Sequence, residues 1–224
     1  MRIYPLNKTV LILRNNAEKF LSGLTTNTLD APRNAFVSVH GRIIATFEQQ
    51  RIEDDAYLIV IEKNFYEPFL AHADRYLKLN RTTLELKEWF VYFDIEASSP
   101  LAPGEFAIPQ KKGQLFISVQ NYPTSVSLEE FTLFRLENQI ALQGVDYTDE
   151  FLLNVSDDEF VSYTKGCFLG QEPIAKVHNR SKPTWKLSVR FEDECAPEER
   201  AKMTSKVLDP KVNRVRGFTF VRNI

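Results

Sequence analysis

Cysteine is nearly missing from this chain: its 224 residues hold two, Cys167 and Cys195. That excludes a disulfide framework, and their separation excludes a C-x-x-C pair. Three scattered histidines, His40, His72 and His178, add no zinc-ligand spacing. The eight glycines spell neither G-x-G-x-x-G nor a Walker A loop, and there is no G-x-S-x-G elbow. Long hydrophobic runs are lacking too. Val10–Leu13 and Tyr57–Ile61 fall far short of the roughly 20 residues a membrane span needs. Arg14 and Glu18 break the first apolar stretch, and Arg and Ser are not enriched there, so neither a signal peptide nor a mitochondrial presequence is expected. The expectation is a cytoplasmic protein that does not enter a membrane.

What is there is an ordinary soluble balance. Hydrophobic residues at 43% and charged residues at 26% exclude wholesale disorder. A chain of 224 residues is about one and a half typical domains and can bury a full core. A formal net charge of -2 argues against nucleic-acid binding as its sole task. The charge is uneven, however. Residues 176–224 carry twelve Lys/Arg against six Asp/Glu, whereas Asp146, Asp149, Glu150, Asp157, Asp158 and Glu159 form an acidic stretch. Solvated faces explain both; a basic surface for a phosphate, a polyglutamate tail or RNA is the functional reading.

Periodicity predicts α+β. Thr9–Leu13 reads as a buried strand, and Asn15 and Asn16 as caps of a helix burying Phe20, Leu21 and Leu24. Ala35–Val39 and Arg42–Phe47 read as strands joined at His40-Gly41, followed by a strand at Tyr57–Ile61. Phe65, Phe69, Ala73, Tyr76 and Leu77 mark an amphipathic helix. Thr82–Leu86, Phe90–Ile95 and Leu115–Val119 are strand-like. Ser127 and Glu130 form a capping box for a helix whose apolar stripe is Leu128, Phe131 and Phe134. Trp185–Phe191 and Val215–Val221 alternate as strands around a charged segment. The expected division is 1–96, a first α+β half; 97–183, a second half; and 184–224, a small β module.

The informative stretch is Lys165-Gly166-Cys167-Phe168-Leu169-Gly170-Gln171-Glu172. Gly166 and Gly170 bracket the cysteine and permit backbone shapes a Cβ would forbid. Pro173 and Glu172 suit the first turn of a helix from about Gln171 to His178. Cys167 then precedes a helix N-terminus and lies near Lys165, both of which favour a thiolate, while Glu172 opposes it. A buried filler thiol is the competing reading. Cys195, amid Glu192, Asp193 and Glu194, reads as incidental.

This run resembles the K-G-C-[YF]-x-G-Q-E signature of the YgfZ-type folate-binding proteins, relatives of the glycine-cleavage T-protein. Phe20-Leu21-Ser22-Gly23-Leu24-Thr25-Thr26-Asn27 is similar to the family's F-L-x-G-L-T-T-N segment, and Gly41-Arg42-Ile43-Ile44-Ala45 to its G-R-[IF]-L-A segment. Arg135-Leu136 and Gly144-Val145-Asp146 sit where the family approaches its signature. The resemblance covers residues 5–182 well and the tail weakly. It implies an aminomethyltransferase-like fold around a folate cavity, followed by a small C-terminal β-barrel, shortened here. It implies tetrahydrofolate or a one-carbon-substituted folate as ligand, support of iron–sulfur enzymes, a linked effect on tRNA modification, and dependence on Cys167. The signature residues Lys165, Gly166, Gly170, Gln171 and Glu172 become candidate ligand contacts. Arg42 and Arg135 are candidates for the folate edge or tail. The T-protein relatives carry an acid used in one-carbon transfer where this chain has Ala45-Thr46, which disfavours aminomethyl transfer. A monomeric accessory protein with folate, iron–sulfur client enzymes and tRNA-modifying enzymes as partners is therefore the leading expectation. An aminomethyltransferase-like enzyme and a non-catalytic RNA- or protein-binding module are the alternatives.

Overall fold

The computed structural model describes residues 1–156 and 158–223, so Asp157 of the acidic stretch lies outside the described residues. Among the described residues, twelve strands form three antiparallel sheets, accompanied by six α-helices. The first sheet has five strands in the order β3-β4-β5-β2-β6: β2 Lys8–Arg14, β3 Arg33–Val37, β4 Ile43–Glu53, β5 Ala56–Glu62 and β6 Thr83–Lys87. Its central strand β5 is buried on both faces, which is why it reads as an unbroken apolar run. Tyr57, Ile59 and Ile61 face helices α1 (Ala17–Leu24) and α2 (Tyr66–Asn80), while Leu58 and Val60 face the second sheet. Of the anticipated helical stripes, Phe20, Leu21 and Leu24 on α1 and Phe69, Ala73 and Leu77 on α2 are buried, whereas Tyr76 and Phe65, which precedes α2, are half-buried.

The second sheet, in the order β1-β7-β9-β8, combines β1 Ile3–Leu6, β7 Phe90–Asp94, β8 Phe106–Pro109 and β9 Gln114–Ser118. It therefore draws strands from both sides of residue 96. Helix α3 (Leu128–Glu137) packs on it through Phe131. Ser127 caps this helix by accepting from the Glu130 N–H at 3.1 Å. The Glu130 carboxylate pairs with Arg2, so the second half of the expected capping box is not made there. Leu128, expected in the apolar stripe, is instead 66% exposed.

The third sheet, in the order β10-β12-β11, comprises β10 Trp185–Phe191, β11 Thr204–Asp209 and β12 Arg214–Arg222. A short α4 (Leu152–Val155), α5 (Gln171–Arg180) and α6 (Pro197–Ala201) complete the chain. The barrel expected at the C-terminus is an open three-stranded sheet among the described residues. Some forty residues supply three strands, too few to close on themselves. Its inner face, with Leu187 and Phe218, shares a core with α5 and the start of β4.

The cap of α1 also departs from expectation. Asn16 adopts a left-handed conformation, φ 57°, and its side chain turns to the Asn80 carbonyl at 3.0 Å. The helix N-terminus is instead capped by Asp55 from the β4–β5 turn, which accepts from the N–H groups of Asn16 and Glu18. No helix among the described residues is long and apolar enough to cross a membrane.

Candidate functional site

The loop 165–170 is anchored on the segment that follows α1. Thr25, Thr26, Asn27 and Asn34 are all buried, an unusual concentration of polar side chains that must satisfy one another. Asn27 and Asn34 do so reciprocally. The Asn27 N–H donates to Asn34 Oδ1 at 2.7 Å, and Asn34 Nδ2 donates back to the Asn27 carbonyl at 3.1 Å. Asn27 Nδ2 reaches the Glu159 carbonyl at 3.0 Å, and Thr26 Oγ1 donates to the Phe160 carbonyl. The Ser162 N–H donates to the Thr26 carbonyl at 3.0 Å. Residues 159–162 are thus laid along the 25–27 corner.

Lys165 finishes the attachment. Its Nζ donates to the Thr25 carbonyl at 2.6 Å and the Asn27 carbonyl at 3.0 Å, and lies 5.3 Å from the Phe168 ring centroid. Burial pushes its pKa down to about 8. The ammonium that the sequence placed beside the thiol is therefore spent on backbone carbonyls. At the far end of the loop the Leu169 N–H donates to the Gly23 carbonyl at 3.0 Å. Gly170 has φ +84°, and a Cβ there would lie 2.4 Å from the Ser38 carbonyl oxygen. Gly166 has nothing within 4 Å of an added Cβ, so only the second glycine of the bracket is required by geometry.

Between these anchors Phe168 points inward and is buried, while Cys167 is exposed. Gln171 opens α5, with its N–H donating to the Phe168 carbonyl at 3.2 Å, and Glu172 is an exposed first-turn acid. Beside the loop is a hollow of about 140 Å³ lined by Ser162, Tyr163, Phe168, Gln171, His178 and Asn179, among others. The Tyr163 and His178 rings stack at 3.5 Å. Cys167 is not among the lining residues. Cys195 differs sharply: it is 6% exposed, its Sγ donates to the Phe191 carbonyl at 3.3 Å, and burial pushes its thiol pKa up.

The two candidate arginines are not brought to the loop. Arg42 is exposed and pairs with Asp149 at 3.1 Å. Arg135 is buried, with its guanidinium donating to Asp146 at 2.6 Å, Ser205 Oγ at 2.7 Å and the Ile140 carbonyl at 3.1 Å. Three acids of the stretch are paired from outside it, Asp146 by Arg135, Asp149 by Arg42, and Glu159 by Arg33 and Lys111. At Thr46, in the segment where the resemblance led one to look for an acid, the hydroxyl sits 3.1 Å from Gln143 Oε1 and 2.8 Å from the Tyr147 hydroxyl, all three residues buried. The sequence contained Thr46 but gave no sign of these two partners, which lie about a hundred residues away.

A folate does not fit the loop hollow. Ligand pockets begin at about 300 Å³, and the space beside the 165–170 loop is less than half of that. The groove between α3 and β11, about 640 Å³ and bounded by Arg135, Leu128, Val145 and Leu208, has the volume, although the Arg135 head is already committed to Asp146. Among the described residues no group of three or more His, Cys, Asp or Glu could hold a metal.

No protein-family model matches the sequence. A protein of Haemophilus influenzae, described only as uncharacterized, is 21% identical over 178 residues, which is 74% of this chain and 64% of that protein. The chain thus spans just under two thirds of that relative's length. In three dimensions, the crystal structure of glycine cleavage system aminomethyltransferase T from Bartonella henselae matches with a TM-score of 0.74. The match is at 12% identity and covers 98% of this chain and 78% of that one. The fold is therefore α+β and like that of aminomethyltransferase T.

Proposed function

We propose that this chain is a tetrahydrofolate-linked accessory protein that supports iron–sulfur enzymes, with tRNA-modifying enzymes among those affected, and that it works through the thiol of Cys167. In this reading it acts as a cytoplasmic monomer. The observation that carries the proposal is a solvent-facing thiol on a loop pinned at both ends: by Lys165 to Thr25 and Asn27, and by Leu169 and Gly170 to Gly23 and Ser38. A thiol held this way meets a partner without paying to order the loop. The likeness to aminomethyltransferase T supports the folate half of the reading. The Thr46–Gln143–Tyr147 cluster disfavours one-carbon transfer, because it offers no carboxylate as base. Lys165, Gly166, Gln171 and Glu172 then shape the surface around the thiol, and Arg42, away from the loop and paired with Asp149, is the exposed candidate for a folate tail.

The test is complementation of cells that lack the protein. Cys167→Ser should lose support of iron–sulfur enzyme activity while unfolding within about 0.5 kcal/mol of wild type, as for an exposed position. A serine variant as effective as wild type would remove the thiol from the proposal. Calorimetric titration with tetrahydrofolate tests the ligand separately. Saturable heat is expected, and its absence would end the folate half.

A further inference from the structure

A second surface has no place in that account. The stretches 173–191 and 210–223 contain no Asp or Glu. Much of the basic charge elsewhere in the C-terminal region is neutralised: Lys206 by Glu192, Lys211 by Glu137, Arg214 by Asp193 and Glu194, and Arg216 by Asp209. Lys176, Arg180, Lys182 and Arg222 are exposed, and none of them has an ion pair among the described residues. The fold gathers these four. Lys176 and Arg180 lie four apart on the outer face of α5, one helical turn. Lys182 follows in the link to β10. Arg222 is the cross-strand partner of Trp185, which puts their side chains on one face of the sheet.

Trp185 is 42% exposed, and with Lys182, Val177, Pro183, Phe151 and Asn154 it lines a hollow of about 310 Å³. The two acids that precede Phe151 in the chain are occupied: Asp149 pairs with Arg42, and Glu150 accepts from the Thr148 N–H at 2.6 Å. An open indole bordered by unpaired cations is the arrangement that holds a single strand, with phosphates on the cations and a base on the ring.

We propose that the surface formed by the outer end of α5 and the start of β10 binds single-stranded nucleic acid, with a base stacked on Trp185 and phosphates on Lys176, Arg180, Lys182 and Arg222. The whole molecule carries a net charge of -2, so attraction is local to this patch rather than general. The inference does not depend on Cys167 or on folate.

The experiment is fluorescence anisotropy of the full chain with end-labelled oligouridylate and oligothymidylate of about twelve nucleotides, at about 50 and 200 mM salt. Affinity should fall as salt rises. Lys182→Ala should flatten the salt slope by about one contact. Trp185→Ala should weaken binding roughly fivefold or more at each salt concentration without changing that slope, and Trp185→Phe should restore most of it. Preference for the ribose strand would name RNA as the ligand; equal binding would name single strands in general. No binding at the lower salt would overturn the proposal. So would binding untouched by Trp185→Ala and matched by polyglutamate, which would mark the patch as a plain polyanion surface.

Discussion

Gly170 and Gly166 flank the same cysteine and look alike in the sequence, yet their surroundings differ completely. Gly170 combines a left-handed backbone with contact against Ser38, so Gly170→Ala forces both strain and a clash with backbone that cannot move aside. A loss of about 2 kcal/mol or more is expected. Gly166→Ala, with open space around the new methyl group, should stay within about 0.5 kcal/mol. Denaturant unfolding of the two variants checks this, and equal losses would show that the loop is not seated on Ser38. The pair also marks what single residues reveal. That the cysteine sits in a tight loop before a helix was legible from glycine spacing and Pro173. That Lys165 turns away to Thr25 and Asn27 was not, because those carbonyls are 140 and 138 residues distant in the chain.

Elements were legible where they bury a continuous stripe. β5, α2 and the β3–β4 hairpin announce themselves because each packs a regular row of apolar side chains into a core. The strands that escaped notice, β1, β8 and β11, are all sheet edges. An edge strand pairs on one side only, and β1 and β8 each carry a proline that a central strand would not tolerate. The cap of α1 shows the same limit. Two asparagines ahead of a helix are a fair capping signal, but the fold hands the task to Asp55 across the β4–β5 turn. Asp55→Ala should therefore lower stability by about 1 kcal/mol, read as a fall in Tm. Asn16→Ala would leave both of the Asp55 bonds in place. A Tm left unchanged by Asp55→Ala would reverse the assignment.

At the scale of the molecule, one buried ion cluster joins three strands of the first sheet. Lys8 on β2 lies 2.9 Å from Glu62 on β5 and 3.0 Å from Glu48 on β4, with its side chain only 3% exposed. Burial alone would lower the lysine pKa, but the two carboxylates more than offset this and hold it above its ordinary value, while burial raises the pKa of Glu62. Lys8→Met would leave two carboxylates facing each other out of water, at a cost of about 3–5 kcal/mol. Urea unfolding at neutral pH measures it. A loss below about 1 kcal/mol would mean that a carboxylate had taken up a proton and the site had relaxed. The distribution of strands has a temporal consequence as well. Every strand of the first sheet lies between residues 8 and 87, so during synthesis that sheet can assemble before most of the remaining chain has been made. The four-stranded sheet that β1 edges follows another schedule: β1, made before its partner, must wait unpaired for β7, and the sheet is complete only once Gln114–Ser118 has been translated.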